Sequence, residues 1–452
     1  MTIGLVLLVT LIAFEALAVN TALPAASREL GALGLYGWVF AAFMLSTVAS
    51  IALSGKLIDE RGLYSVLAAG VPLFCLGLAI GAAAPSMLAL VGARVVQGLG
   101  AGAISSVANV AIGRAYPPKL RAAMLAVMSS AWVVPGLIGP GLAAVITTSF
   151  GWRWVFAGLI PIVAVAAILT MPALRPFGPI TVEADDDDTR RAADPLLVAA
   201  GFAFVIGGFS NANDVWPLVF VVVGLGIAVP ALRRLSPMGT FRLRRGRAAA
   251  IALNGVMSCA FFAVDAFVPL AVTEVRHRSV GFAGFALTTG AISWTLGAWL
   301  TARINTRVDV RTRVRGGFGL VAIGIMMVLL GLRQDVPIGI FPAAWFVAGL
   351  GMGLGYQGLA LVVLGGGDGE HDSGPPAAVV AARQMFDTLG NAIGTGVAGA
   401  CVAVTLALGD DTKVGLIVAF VTMISLAMFG AAASGRAAEL PAPADAPSAA
   451  LP

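Results

Sequence analysis

The chain has 452 residues, of which 59% are hydrophobic and 11% are charged. Soluble domains carry about 25% charged residues, so this composition excludes an ordinary soluble protein. Apolar runs long enough for a spanning helix recur from end to end, which predicts an all-α polytopic membrane protein. The formal net charge of +5 does not indicate nucleic acid, because the basic residues lie in short segments between the runs, where membrane topology explains them.

The apolar runs fall into two outer sets of six with two shorter runs between them. Two six-helix pseudo-repeats with two extra helices are therefore predicted, fourteen spans in all. The predicted spans lie at 3–26, 37–54, 65–84, 87–112, 122–148, 154–174, 196–209, 215–232, 248–272, 282–302, 316–332, 338–364, 376–408 and 414–433. The predicted domains are an N-terminal bundle 1–174, an acidic cytoplasmic loop 175–194, two inserted helices 195–232, a basic cytoplasmic linker 233–247, a C-terminal bundle 248–433 and a disordered cytoplasmic tail 434–452.

The distribution of basic residues predicts the orientation. With both termini in the cytoplasm, the inner segments hold 20 Lys and Arg residues and the outer segments hold 6. Such an excess marks the cytoplasmic side. The basic linker would lie outside if only one of the two middle runs crossed the membrane, so both cross or neither does. We expect a multi-pass protein of a prokaryotic-type plasma membrane.

Five ionisable residues lie inside predicted spans, namely Glu15, Arg94, Asp265, Arg383 and Asp387. A charge near the bilayer centre costs about 2.5–3.5 kcal/mol on insertion scales, so such residues are candidates for ion or substrate handling. Each has a structural alternative. Glu15 is otherwise a packing acid neutralised by a partner such as Arg94, and Arg94 a structural arginine at a helix crossing.

The other acids have alternatives of the same kind. Asp387 lies four residues after Arg383 on one helix face, where it could serve only to neutralise that arginine. Asp265 lies toward the outer end of its span and could simply face water. Four amides in the spans either contact substrate together with Glu15 or bridge helices: Asn20, Asn109, Asn254 and Asn391.

The fifth predicted span contains Pro135, Gly136, Gly139, Pro140 and Gly141. Proline kinks a helix and glycine admits a close neighbour, so these residues predict a bent, tightly packed helix. The pattern also resembles the antiporter motif of the major facilitator superfamily. That resemblance implies efflux rather than uptake.

Other motifs resemble the same family in the same order. The segment from Gly55 through Asp59 and Arg61 to Gly62 is similar to the family's cytoplasmic loop motif, which implies gating during alternating access. Arg94 with Gln97 and the glycines that follow resembles the fourth-span motif implicated in proton coupling. The first-span stretch 15–24 and Arg383-Gln384 resemble the fourteen-span drug:proton antiporter branch, with Glu15 in place of Asp.

The sequence shows no catalytic or metal-ligand spacing and no Walker-type loop, so we expect neither an enzyme nor direct use of ATP. The expected energy source is a proton gradient without a cofactor or metal. The prediction is a monomeric, proton-coupled exporter of amphiphilic, cationic compounds that contacts membrane lipids and no nucleic acid. The alternatives are a lipid or glycolipid exporter on the same fold and a membrane receptor or scaffold.

Overall fold

The computed structural model describes residues 1–117, 120, 124, 127–128, 131–179, 186–210, 216–304, 308–365 and 377–437. All the regular secondary structure among these residues is helical, which confirms the predicted class. The helices are α1 Thr2–Leu30, α2 Tyr36–Ala82, α3 Met87–Ala115, α4 Val133–Ser149, α5 Arg153–Ala157, α6 Leu159–Leu174, α7 Asp186–Ser210, α8 Trp216–Leu235, α9 Arg247–Leu270, α10 Val280–Ile304, α11 Val310–Gly331, α12 Ile340–Gly365, α13 Ala377–Ala407 and α14 Thr412–Ala433.

Within the described residues, eleven helical segments are long and apolar enough to cross a membrane, and two shorter apolar helices cover Val133–Ser149 and Ala193–Gly208. The protein is therefore a multi-pass membrane protein. One of the eleven, α2, contains both the second and the third predicted run. Its backbone bends at Gly62, where φ is 82° and ψ is 166°.

Helix α7 begins at Asp186, inside the segment 175–194 that was predicted as a loop. Acidic residues in a first turn favour helix initiation through the helix dipole, which the sequence analysis did not take into account. Residues 180–185 of that segment, and most of the predicted tail 434–452, lie outside the described residues.

Glycines allow close helix packing in both halves. In the first half, a Cβ on Gly77 of α2 would lie 2.6 Å from the Gln97 backbone nitrogen on α3. In the second half, a Cβ on Gly324 of α11 would lie 2.7 Å from the Ala344 carbonyl oxygen on α12. Any larger residue would separate these helices, so each half is held by small residues.

The two halves meet along two seams. Helix α4 packs on α10, where a Cβ on Gly284 would lie 2.7 Å from the Pro140 carbonyl oxygen. Helix α2 packs on α13, where a Cβ on Gly37 would lie 2.6 Å from the Gly399 Cα. Helices α7 and α8 cover this second seam through an apolar cluster that includes Phe202 and Ile206.

Helices α7 and α8 form a close antiparallel hairpin. A Cβ on Gly201 would lie 2.6 Å from the Gly224 carbonyl oxygen. Near the open end of the hairpin, Arg234 donates from Nη2 to Asp194 Oδ1 at 2.7 Å and from Nε to both carboxylate oxygens at 3.0 and 3.1 Å. The start of α7 and the end of α8 therefore lie at the same end of the bundle.

Candidate transport site

Glu15 and Arg94 form an ion pair in the middle of the first half. Their side chains are 0% and 1% exposed. Arg94 Nη1 donates to Glu15 Oε1 and, at 2.9 Å, to Gln97 Oε1, while its Nε donates to the Val39 carbonyl oxygen at 3.0 Å. The guanidinium carbon lies 4.1 Å from the centroid of the Phe43 ring. The pair therefore joins α1, α2 and α3.

One buried hydrogen-bond acceptor of this ion pair and one buried donor beside it are left without a partner in the described part of the chain. Glu15 Oε2 and Gln97 Nε2 have no hydrogen-bond partner among the described residues. Gln97 follows Arg94 by three residues, so the two side chains share a helix face. Gln97 belongs to the fourth-span motif, and its spacing from Arg94 was a usable signal for a role that was not predicted.

Asp265 on α9 lies between the halves and is 7% exposed. Its carboxylate accepts a hydrogen bond from Asn20 Nδ2 of α1 at 2.6 Å and one from Trp345 Nε1 of α12 at 2.8 Å. Asn20 thus contacts a residue of the other half. Trp345 was not predicted, because a single tryptophan in an apolar run is indistinguishable from a core residue.

A small cavity of about 50 Å³ adjoins Asp265. Four aromatic side chains line it, and two of them, Phe261 and Trp345, stack with centroids 5.2 Å apart. Trp294 meets Phe261 edge-on at 5.6 Å. The complete lining is Leu17, Gly136, Pro140, Phe261, Phe262, Asp265, Leu287, Gly290, Ala291, Trp294 and Trp345. One carboxylate among aromatic rings is an environment that suits an organic cation.

The second half holds another acidic group, Asp387 on α13. It accepts hydrogen bonds from Ser258 Oγ and, at 3.3 Å, from Asn254 Nδ2, both on α9. The Tyr356 hydroxyl interacts with both Asp387 and Arg383. The Arg383 guanidinium carbon lies 4.6 Å from the Tyr356 ring centroid.

The described residues contain no ion pair within 4.0 Å between Arg383 and Asp387. Their spacing of four residues had suggested a direct pair. The neutral Tyr356 hydroxyl instead interacts with each of them. Ser258 and Tyr356 had no distinguishing sequence signal, because hydroxyl groups are common in packed helices.

The remaining predicted amides lie outside the cavity. Asn109 is exposed and donates to the Ser105 carbonyl oxygen of its own helix at 3.0 Å. Asn391 is half-buried, and its carbonyl oxygen accepts a bond from Thr395. Asn254 is fully buried against Asp387. None of the three lines the cavity beside Asp265.

The loop motif surrounds the bend in α2. Asp59 accepts a hydrogen bond from Arg114 Nη2 at 2.6 Å, whereas Arg61 is exposed. A Cβ on Gly62 would lie 2.9 Å from the Gly178 carbonyl carbon, so only glycine suits both the positive φ and the close approach. A Cβ on Gly55 would meet nothing within 4 Å. Arg114 had been counted only as a basic residue that marks the cytoplasmic side.

The broken fifth span, α4, reaches the cavity and a neighbouring helix. Gly136 and Pro140 line the cavity. A Cβ on Gly139 would lie 3.7 Å from the Phe14 ring of α1, and one on Gly141 would meet nothing within 4 Å. Pro135 is buried at the start of the helix. This motif therefore brings α1, α4 and the cavity together.

The bundle is closed at the end where α1 stops. Arg28 donates from Nε to Glu274 Oε1 at 2.5 Å and from Nη2 to the Thr273 carbonyl oxygen at 2.8 Å. Glu274 and Thr273 belong to the π-helical turn Ala271–Val275 after α9. The Tyr36 hydroxyl donates to the Ala266 carbonyl oxygen at 3.3 Å. These contacts join the halves, and none of them was predicted.

The comparisons with known proteins agree on one family. Residues 5–395 match the model of the Major Facilitator Superfamily. The chain is 27% identical over 422 residues to a probable multidrug-efflux transporter of Mycobacterium tuberculosis, covering 89% of this chain and 87% of that one. It is 25% identical over 408 residues to a multidrug transporter protein of Bacillus subtilis, covering 88% of this chain and 74% of that one.

Solved structures show the same fold. The crystal structure of a POT family transporter in complex with 5-aminolevulinic acid has a TM-score of 0.67 and 13% identity, and covers 96% of this chain and 97% of that one. The crystal structure of a nucleoside transporter has a TM-score of 0.64, with 96% of this chain and 98% of that one covered.

Proposed function

Because the chain belongs to the major facilitator superfamily, and its relatives in that family are transporters and not enzymes, we propose that it exports amphiphilic cations in exchange for protons by alternating access. The observation that carries this proposal is the cavity between the halves, where Asp265 lies among aromatic rings. The Mycobacterium tuberculosis relative, whose name is probable multidrug-efflux transporter, supports the outward direction.

We propose fourteen spans in a six, two, six arrangement. This count takes α2 as two spans divided at Gly62, α5 and α6 as one, and the two shorter apolar helices as spans. The Asp194–Arg234 pair supports a crossing by both α7 and α8. The Gly246 amide donates to the Arg436 carbonyl oxygen at 3.0 Å, which supports a linker and a C-terminus on one side. By the charge distribution that side is the cytoplasm, and the closed end is then the outer face.

We assign cation binding to Asp265 rather than to Glu15. Glu15 is engaged by Arg94 and does not line the cavity, whereas Asp265 does. An organic cation beside Asp265 would gain both the carboxylate charge and the faces of the surrounding rings. Asn20 would hold the carboxylate in place for it.

We assign proton coupling to Glu15 and Arg94. A proton on Glu15 would cancel its charge and release Arg94 from the pair. Glu15 and Asn20 are five residues apart on α1, about 7.5 Å along the helix, so a shift of α1 on protonation would reach the bond between Asn20 and Asp265. Asp387 with Arg383 is the second candidate for coupling. The transporter works as a monomer in this proposal, with the proton gradient as its only energy source.

Proton flux in proteoliposomes tests the assignment. Ethidium, an aromatic amphiphilic cation, is added to vesicles that contain a pH dye and should drive proton movement with the wild-type protein. Glu15→Gln keeps the size of the side chain but cannot release a proton, so it should move the cation down its gradient without proton flux. Asp265→Asn should weaken cation uptake itself.

Asp335→Asn is the matched control, because this exposed acid lies in a loop and forms an ion pair with the exposed Arg333. It should behave as wild type. Undiminished proton flux with Glu15→Gln would move the coupling role to Asp265 or Asp387. Uptake of a labelled phospholipid instead of the cation would favour the lipid exporter, and the absence of any transport would favour a receptor or scaffold.

A further inference from the structure

The membrane-facing surface between α4 and α10 carries a groove of about 380 Å³. Its walls include Ile138, Val145 and Phe285, which are 54%, 57% and 56% exposed. Exposed apolar side chains are ordinary on a membrane helix, but a concave space of this size between two helices is not required by insertion. The groove lies toward the closed end, since α4 ends there and α10 begins there.

The groove and the cavity beside Asp265 share both helices. On α4, Pro140 lines the cavity and the next residue, Gly141, lines the groove. On α10, Leu287 lines the cavity and the next residue, Thr288, lines the groove. Consecutive residues of a helix are about 100° apart around its axis. The two spaces therefore lie on adjacent faces of the same pair of helices.

The wall between the two spaces is thin and can bend. A Cβ on Gly136 would meet only the Ala291 Cβ, at 3.5 Å. Pro140 has no N–H, so the Gly136 carbonyl lacks the helical hydrogen bond that residue 140 would otherwise donate. Small side chains and a missing hydrogen bond are the features at which helices bend and separate.

The groove is also suited to an apolar chain. Its two threonines, Thr148 and Thr288, each donate to a carbonyl oxygen of their own helix at 2.9 Å. Their hydroxyl hydrogens are thus already used, and no unpaired donor among them faces the groove. The only carboxylate in the combined lining is Asp265, on the cavity side.

We propose that the cavity and the groove form one bipartite site for a single-chain cationic amphiphile. The ammonium group lies beside Asp265, and the alkyl chain passes between α4 and α10 into the groove. This inference rests on the proposed cation-binding role of Asp265. The carboxylate selects the head group, and the groove accepts the chain. A neutral alkyl compound lacks the positive charge that the carboxylate would bind.

Photolabelling of the full-length protein in lipid nanodiscs tests the site. The probe is dodecyltrimethylammonium with a diazirine at the end of its chain, and the control probe is dodecanol with the same diazirine. In the wild type, the cationic probe should label 137–148 and 281–288 well above the neutral probe. Asp265→Asn should lower this labelling about tenfold, which corresponds to about 1.4 kcal/mol, and should not change labelling by dodecanol.

Gly281→Leu fills the groove from α10, where the added Cβ would meet only the Ser279 hydroxyl at 3.8 Å. It should remove groove labelling by the cationic probe. Gly226→Leu is the matched control, because a Cβ there meets nothing within 4 Å and α8 lies away from the groove. It should label as wild type.

Two results would overturn the bipartite site: equal labelling by the two probes, or unchanged labelling in Asp265→Asn. Either would make the groove a surface that lipid fills. Ethidium-driven proton flux is measured in proteoliposomes made from the same purified protein. Its absence in the wild type would refute the proposed function, while the labelling pattern would still decide whether an ammonium head and an alkyl tail bind together.

Discussion

Both halves of the protein hold an arginine and a carboxylate within their helices, but they join them differently. In the first half, Arg94 contacts Glu15 directly, and both are fully buried. In the second half, the Tyr356 hydroxyl interacts with both Arg383 and Asp387. A direct buried pair leaves an unpaired charge when either partner is removed. A network with neutral donors leaves its carboxylate partly satisfied, so we expect the first half to respond far more sharply to change.

The largest effect should come from Arg94→Gln. Glu15 would remain as a buried carboxylate without its cation, at a cost of about 3–5 kcal/mol in the free energy of unfolding. The measurement is denaturant unfolding in detergent. The double variant Arg94→Gln/Glu15→Gln should recover most of the loss. A double variant as unstable as the single one would show that the arginine acts through its other contacts with Val39 and Phe43.

Double-mutant cycles compare the two pairs directly. The coupling energy of Glu15 with Arg94 should lie near the upper end of the usual range, about 3 kcal/mol, and that of Asp387 with Arg383 near the lower end, about 0.5 kcal/mol. Glutamine and asparagine keep the size of the two carboxylates, and glutamine replaces both arginines so that the lost volume is the same in each cycle. Equal coupling energies would remove the distinction between a direct and a mediated pair.

Tyr356→Phe should destabilise the protein by about 1 kcal/mol, because it removes one hydroxyl that interacts with two charged groups. It should also weaken the coupling between Arg383 and Asp387. Tyr64→Phe is the control, since Tyr64 is half-buried and lies under Arg175 at 5.4 Å. If Tyr356→Phe left the cycle unchanged, the arginine and the carboxylate would interact without the hydroxyl.

The smallest effect on stability should come from Arg28→Ala, about 0.2–1 kcal/mol, because its pair with Glu274 is partly exposed to solvent. Its effect on the entry of reagents into the bundle from this end should be larger. A cysteine at the buried position Ala26, in a background without Cys75, Cys259 and Cys401, should react faster with an impermeant maleimide.

Arg153→Ala is the control for this variant, because it breaks an equally short pair with Glu29 inside one half. It should not change the rate of labelling. Equal rates in both variants would mean that the contact between the halves does not hold this end closed.

The sequence was sufficient to predict the helical class and to identify the charged residues inside the predicted spans. Apolar runs reveal spans because backbone groups must be satisfied within the bilayer, and intramembrane charges are conspicuous by their cost. The positions of Glu15 and Arg94 along their predicted spans were enough to suggest that the two could be partners, and the structure places them in contact.

The partners of the other charges could not be predicted from spacing. A helix rotated by one residue turns its side chains by about 100°, and only packing determines that rotation. The sequence therefore left Trp345 indistinguishable from a core residue and Arg114 indistinguishable from a topology signal. It also gave Glu15 a substrate-binding role that, in our proposal, belongs to Asp265, because depth in the membrane does not reveal which acid faces a cavity.

The hairpin of α7 and α8 has a consequence for how the protein meets its surroundings. It covers the seam between α2 and α13, whereas the seam between α4 and α10 carries an open groove. The molecule thus presents two different surfaces to the surrounding bilayer, one covered by the hairpin and one with the groove. A neighbouring protein that docks on the hairpin would leave the groove open to the membrane, while one on the opposite side would cover it. Crowding in the membrane should therefore affect this protein according to its rotational orientation, and not only according to how many neighbours it has.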